Sequence, residues 1–180
     1  MPSQELPVLE TERLLLRRHH LDDFPHSAAM WADPNVTRFI REKPFTREES
    51  WARFLRYIGH WKILGFGYWV VLDKATNQFS GEVGFANFRR NIEPSLEDTP
   101  EIGWALTPPV QGKGYATEAV RAVVAWGENH FGSARTACII APENLASIRV
   151  AQKCGYHELQ HTTYMNHPTI MFVRDPQTAK

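Results

Sequence analysis

Residues 110–117 read Val110-Gln111-Gly112-Lys113-Gly114-Tyr115-Ala116-Thr117, a loop with two glycines whose flanks decide the fold. Downstream, Ala119, Val120, Val123, Val124, Gly127 and Phe131 recur at helical spacing, which predicts a helix from Ala116. Upstream, Glu101 to Leu106 is a strand-like run, cut off by Pro108-Pro109 because proline supplies no ladder donor. Strand, glycine loop and helix in that order let backbone N–H groups converge near a helix N-terminus. There, unsatisfied donors and the positive end of the dipole favour an anion. An ordinary strand-to-helix turn is the alternative reading. A Walker A loop is excluded: Gly112-Lys113 is followed by Gly114 instead of Ser or Thr, and Thr107 stands where the first glycine belongs. A dinucleotide fingerprint is excluded too, since Thr117 replaces its last glycine and no acidic residue ends a strand about 20 residues on. What the loop does match is Q/R-x-x-G-x-G/A, filled by Gln111, Gly114 and Ala116.

Working outward, Arg13 to Arg18 reads as a strand and Leu21 to Ala32 as a helix stopped before Asp33-Pro34. Thr46 opens a further helix with Glu49 as capping-box partner and Trp51, Phe54, Leu55 and Ile58 as its apolar stripe. Tyr68 to Leu72 and Gly81 to Phe88 form a predicted hairpin around the turn-like Asp73 to Gln78. A polar loop from Arg89 to Pro100 leads to the Glu101 strand. Beyond the long helix, Ala134 to Ala141 reads as a strand. Asn144 caps a short helix ending at Gly155, and Tyr156 to His161 and Thr169 to Val173 close the series. The alternation predicts one α/β or α+β domain over residues 1–180, with its core at about 8–174 and a sheet mostly antiparallel in its first half.

Composition narrows the class of function. The 180 residues are 43% hydrophobic and 22% charged, enough apolar surface for one core and too little charge for disorder. Twenty basic residues balance twenty acidic ones, which argues against a broad grip on nucleic acid. Apolar runs such as Ala28 to Ala32 and Tyr68 to Leu72 stop at five residues. A membrane-spanning helix needs roughly 20. The lead carries Glu5, Glu10 and Glu12 without the pattern of a secretory signal, so a cytoplasmic location is expected. Cys138 and Cys154 lack CxxC spacing and give neither a disulfide framework nor a metal signature. His19 and His20 are adjacent on a strand-like run and point to opposite faces, which speaks against a metal pair. They are expected at the surface or in a substrate cleft.

Four blocks then stand in register. They are Glu101-Ile102-Gly103-Trp104, Gln111 to Val120, Pro142 to Val150 with Asn144 and Ser147, and Lys153-Cys154-Gly155-Tyr156. With Thr11-Glu12-Arg13-Leu14 and Asp33-Pro34, this order and spacing resembles the GNAT superfamily of N-acyltransferases, in its RimJ/RimL-type branch that acetylates protein N-termini. The resemblance implies a central mixed sheet whose middle strands, Glu101 to Leu106 and Ala134 to Ala141, splay apart to admit acetyl-CoA. It places the pyrophosphate on the amides of Gly112, Lys113, Gly114, Tyr115, Ala116 and Thr117, beside Gln111. It pairs the pantetheine arm with the backbone of Leu106, Thr107 and Val110, and has Asn144 hydrogen-bond that arm while capping its helix. A plain helix cap remains the other reading of Asn144.

The implied reaction is attack of a neutral amine on the thioester, giving an oxyanion and then a thiolate, with no metal. An α-amine with pKa near 7.7 to 8.0 is roughly a tenth to a third neutral at pH 7 to 7.5, so an N-terminal acceptor asks little of a base. Glu101 is the candidate base, directly or through water, with a solvated strand-end carboxylate as the alternative. Many superfamily members protonate the thiolate with a tyrosine seven residues after the asparagine. Here that position is Ala151, and the branch's substitute, the serine three residues on, is Ser147, which a helix-capping role would also explain. Trp31, Trp51, Trp61, Tyr68 and Trp69 fall where the family builds its acceptor cleft, and most are expected in the core. His26, Arg38, Phe39 and the Arg89 to Pro100 loop are the expected acceptor contacts. The expected acceptor is a protein or peptide α-amine, with a small-molecule amine or a non-catalytic acyl-CoA-binding role as alternatives. The expected assembly is a monomer or homodimer without nucleic acid or membrane partners.

Overall fold

A computed structural model describes residues 7–41 and 43–176. Glu5 of the acidic lead lies outside the described residues. Strands β1 (Leu9–Glu10) and β2 (Leu14–Arg17) are followed by a 3-10 turn (Leu21–Asp23) and helices α1 (Phe24–Trp31), α2 (Pro34–Thr37) and α3 (Arg47–Leu64). Next come β3 (Tyr68–Asp73), β4 (Phe79–Ala86), β5 (Glu101–Leu106), a 3-10 turn (Pro108–Val110) and α4 (Tyr115–Phe131). The chain ends in β6 (Thr136–Ile140), α5 (Leu145–Lys153), β7 (His157–Tyr164) and β8 (His167–Arg174). The eight strands form one sheet in the order β1-β2-β3-β4-β5-β6-β8-β7. Every neighbouring pair is antiparallel except β5 and β6. This is the single mixed α/β domain expected from the order of elements.

The one parallel junction shapes the molecule. β5 and β6 share a single register pair, Glu101 opposite Ala137, and then diverge. The gap therefore widens from Glu101 toward Leu106. At its open end stand the loop that leads into α4 and the N-terminus of α5.

Side-chain alternation sorts the two faces of the sheet. Leu14, Leu16, Trp69, Val71, Val83, Phe85 and Ile102 bury against Ala119, Val120, Val123 and Val124 of α4. Complete burial of a Val, Leu, Ile or Phe side chain is worth about 1.5–3 kcal/mol, so this face carries most of the cohesion. The other face is covered by α1 and α3, where Phe24, Ala28 and Phe54 pack together and Met30 and Trp31 meet Ala105. α3 starts at the predicted capping box: Glu49 N–H donates to Thr46 Oγ1 at 3.2 Å and Thr46 N–H donates to Glu49 Oε2 at 2.8 Å.

The stripe expected on α3 is corrected. Trp51, Leu55 and Ile58 are exposed, and the residues turned inward are Ser50, Phe54, Tyr57 and Trp61. The helix is laid against a sheet face that carries polar groups, and Tyr57 stacks on Tyr68 of β3 at 4.2 Å, so the inward face is set by those partners instead of by hydropathy alone. Trp61, in the last turns of α3, and Trp69 of β3 are core residues, as expected of most of these aromatics: they pack edge to face at 4.7 Å in the core shared with Trp126 of α4. Among the described residues no helix is long and apolar enough to cross a membrane.

Candidate active site

The glycine loop has the conformation that only glycine adopts without strain. Gly112 and Gly114 have φ of 74° and 83°, in the left-handed region. Gly114 caps α4, and the first amide satisfied inside the helix is that of Glu118, which donates to the Gly114 carbonyl at 3.1 Å. The N–H groups of Tyr115, Ala116 and Thr117 precede that ladder and point out of the helix end. A phosphate placed there would meet donors and the positive end of a 17-residue helix dipole.

The loop is anchored from a distant part of the chain. Glu118 accepts from the Thr11 hydroxyl at 2.6 Å, the Arg13 amide at 2.9 Å and Arg13 Nε at 2.7 Å. Arg13 Nη1 in turn donates to the Lys113 carbonyl at 2.8 Å, and its guanidinium lies 4.5 Å over the Tyr115 ring. The Tyr115 hydroxyl donates to Asp73 at the end of β3. Gln111 turns its side chain back, with Nε2 donating to the Leu106 carbonyl at 2.8 Å. It thereby ties the end of β5 to the loop. Thr107 is held by its N–H to the Ser80 carbonyl at 2.9 Å, while the Lys113 side chain remains exposed.

Across the gap, Asn144 Oδ1 accepts from the Ser147 amide at 3.2 Å, so its capping role is realised. That bond uses the backbone of Ser147. Among the described residues the half-buried Ser147 hydroxyl has no hydrogen-bond partner. Ala151, in the position where a tyrosine is usual, is fully buried. The structure thus brings the loop from Leu106 to Thr117 together with Asn144 and Ser147 around the open end of the β5–β6 gap.

Glu101 lies at the closed end and is not a solvated carboxylate. It is 5% exposed and clamped by Arg90, whose Nε and Nη2 each donate to one carboxylate oxygen at 2.7 Å. Farther along β5, on the same face, a Cβ at Gly103 would lie 2.1 Å from the Tyr68 hydroxyl. The phenol of Tyr68 therefore occupies the space above the strand. Burial pushes Tyr68 well above the ordinary phenol range, with the neighbouring Tyr57 and Glu101 adding to the effect, so it stays a neutral hydrogen-bond donor.

A second polar centre was not legible in the sequence. Glu82 of β4 is fully buried, and its carboxylate accepts from Ser27 Oγ at 2.7 Å and Trp31 Nε1 at 2.8 Å and lies 3.1 Å from His19 Nε2. Burial alone would raise its pKa, but the His19 partner and the Ser27 and Trp31 hydrogen bonds bring it below the usual carboxylate value. His19 is thus interior, correcting its placement at the surface or in a cleft, while His20 is exposed as expected. Of the expected acceptor contacts, His26 stacks on Phe79 at 6.0 Å and Arg38 lies 4.6 Å over Phe39. The Arg89 to Pro100 loop supplies Arg90. The partners of Glu82, and Arg90 as the partner of Glu101, lie more than ten residues away in sequence, and no local spacing marks them.

Comparison with known proteins agrees with this geometry. The family model described as an acetyltransferase (GNAT) domain matches residues 13–157. The uncharacterized protein YkkB of Bacillus subtilis (strain 168) is 32% identical over 170 residues, covering 92% of this chain and 94% of YkkB. A GnaT-family acetyltransferase from Bordetella pertussis, so far a putative assignment, superposes with a TM-score of 0.81 at 28% identity, covering 93% of this chain and 99% of that one. RimL, a ribosomal L7/L12 alpha-N-protein acetyltransferase solved in complex with coenzyme A, superposes with a TM-score of 0.76 at 17% identity, covering 96% and 100% of the two chains. With a matched domain spanning most of the sequence, a sheet parted at β5 and β6, and a glycine-capped helix facing the gap, this chain belongs to the GNAT family and is an acetyl-CoA-dependent N-acetyltransferase.

Proposed function

We propose that the acceptor is the α-amine of a protein or peptide. The observation that carries this reading is the pairing of Glu101 with Arg90. A carboxylate whose two oxygens both accept from a guanidinium has part of its lone pairs already engaged and holds a substrate proton only through those that remain, or through a water. A carboxylate so engaged suits an α-amine, roughly a tenth to a third of which is already neutral at pH 7 to 7.5, better than a lysine amine near 10.4, which is almost wholly protonated there. RimL, similar in fold, bears a name that specifies an alpha-N acceptor, which supports the same choice.

In this reading acetyl-CoA lies along Leu106, Thr107 and Val110, with its pyrophosphate on the amides of Gly112 to Thr117 and Asn144 meeting its arm. The acceptor enters from the α1 and α3 side, and a water held by Glu101 takes the amine proton as the nitrogen attacks the thioester carbon. The C–S bond then breaks, the Ser147 hydroxyl gives its proton to the departing thiolate, and the proton taken from the amine returns through solvent to restore the serine hydroxyl. Its hydroxyl is free because Asn144 takes only the backbone of Ser147.

The test is acetyl transfer from acetyl-CoA to a panel of peptides with different first residues, beside the same peptides with blocked α-amines and free lysines. Transfer confined to open α-amines is expected. Ser147→Ala is expected to lower kcat about 10²-fold or more while leaving coenzyme A affinity unchanged. Equal transfer to lysine side chains would overturn the choice of acceptor, and full activity in Ser147→Ala would overturn the role of the serine.

A further inference from the structure

Three guanidinium groups gather where α3 meets the loop after β4. Arg53 and Arg56 are one turn apart and so neighbours on one helix surface. Arg90 reaches in from the loop. Their surroundings are aromatic. Arg56 lies 5.0 Å over the Phe88 ring, Arg90 lies 4.5 Å over Phe88 and 5.0 Å over Tyr164, and Arg53 lies 4.1 Å over Trp31.

The charges in this cluster do not balance. Glu101 is its one carboxylate among the described residues, and Arg90 already occupies both its oxygens. Glu82, whose charge also reaches Arg53, is engaged by His19, Ser27 and Trp31. Arg53 donates Nη1 to the Tyr57 hydroxyl at 2.9 Å, while its Nε is buried with no acceptor. Among the described residues Arg56 makes no hydrogen bond or ion pair. Arg56 is exposed at the rim of the cluster, where partial desolvation and then the like charges of Arg53 and Arg90 hold it below the ordinary arginine pKa. A buried guanidinium N–H without an acceptor, one turn from an exposed guanidinium that has no counter-ion among the described residues, forms a site for an anion at the rim of the cluster.

That anion is not a phosphate of the cofactor. The cluster surrounds the Glu101 end of β5, whereas the glycine loop follows the Leu106 end, about 17 Å away for five residues of strand. It does border Tyr68 and Gly103, the wall that an acceptor amine passes on its way to the thioester. The anion that accompanies an α-amine in amino acids and peptides is a carboxylate, and a planar guanidinium fork matches one.

We propose that the acceptor carries a carboxylate close to its amine and that Arg56, with Arg53 beside it, binds that carboxylate and selects the substrate. This rests on the α-amine reading above. The carboxylate belongs either to a free amino acid or to an acidic residue at the head of a peptide.

The experiment compares matched pairs as acceptors for the full-length protein: alanine with alaninamide, and a tripeptide amide beginning with Asp with its Asn counterpart. A kcat/KM at least tenfold higher for the charged member of one pair is expected, and the pair that shows it identifies the source. Arg56→Gln is expected to raise KM for that acceptor at least tenfold, to leave its uncharged partner unaffected, and to leave coenzyme A affinity unchanged. Arg56→Lys is expected to recover part of the loss. Transfer that ignores charge in both pairs would overturn the inference while leaving the α-amine reading intact. Calorimetric titration of the same four compounds into protein saturated with coenzyme A separates the opposite case. If no amine is acetylated but the charged compound binds and Arg56→Gln abolishes that binding, the site stands and the α-amine reading falls. If none binds and none reacts, the site falls as well.

Discussion

Replacing Gly103 by alanine tests the packing that lines the acceptor side of β5. The added Cβ would lie 2.1 Å from the Tyr68 hydroxyl and 3.3 Å from the carbon that bears it. An ordinary contact needs about 3.4 Å or more, so the phenol must retreat by more than an ångström. Tyr68 is 6% exposed and stacked on Tyr57 at 4.2 Å with an interplanar angle of 8°, which leaves it little room to do so. Overpacking of this kind costs about 1–3 kcal/mol, which for a chain of this size is about 2–4 °C of Tm per kcal/mol. Tyr68→Phe removes the obstructing oxygen and leaves only the tolerable 3.3 Å contact. The double variant Gly103→Ala/Tyr68→Phe is therefore expected to recover about 1 kcal/mol or more relative to the sum of the two single changes. Urea denaturation of the four proteins, with thermal melts in parallel, measures the cycle. Additive effects, or a Gly103→Ala protein as stable as the parent, would refute the account of why this position is glycine.

Glu118→Ala removes three acceptor contacts to Thr11 and Arg13, so it is expected to lower stability by about 1–3 kcal/mol. Because Arg13 also holds the Lys113 carbonyl, the same variant is expected to weaken coenzyme A binding in calorimetry, and unchanged affinity would detach the anchor from the loop. For pH, Glu82 has its folded pKa below its ordinary value, so it binds fewer protons folded than unfolded. Its contribution is complete above about pH 4.5 and is lost as pH falls through the lower folded value. Glu82→Gln is expected to flatten the acid limb of stability below that pH, read by denaturant titration at a series of pH values, and an unaltered limb would count against the assignment.

The strand Glu101 to Leu106, the Thr46 capping box, the Asn144 cap and the α4 core face were all legible because each is written in adjacent or helically spaced residues. The glycine loop was legible for the same reason: Gly112 and Gly114 stand two apart between a strand and a helix, and both take a positive φ there. α3 was misread on its outward side. Trp51, Leu55 and Ile58 have the hydropathy of a core stripe, but the inward face had to accommodate Tyr68 and the polar groups of β4, which no window over α3 contains. Glu101 was identified by its place in a motif, while its clamp Arg90 lay unmarked in a loop eleven residues earlier. Glu82 and His19, 63 residues apart, form a pair that only the folded sheet creates.

The lone ladder contact between Glu101 and Ala137 divides the sheet into two plates of strands joined at a single rivet. Among the elements that span the seam is α4, which packs on β2, β4 and β5 of one plate and on α5 of the other. The helix whose first turn is proposed to receive the cofactor is thus also a tie bar between the plates. Widening or narrowing the slot would leave the internal ladders of either plate unbroken, so its breadth answers to the packing across the seam, Val120 and Val123 of α4 on the one hand and Ile92 and Leu96, which meet Ala137, Met171 and Val173, on the other.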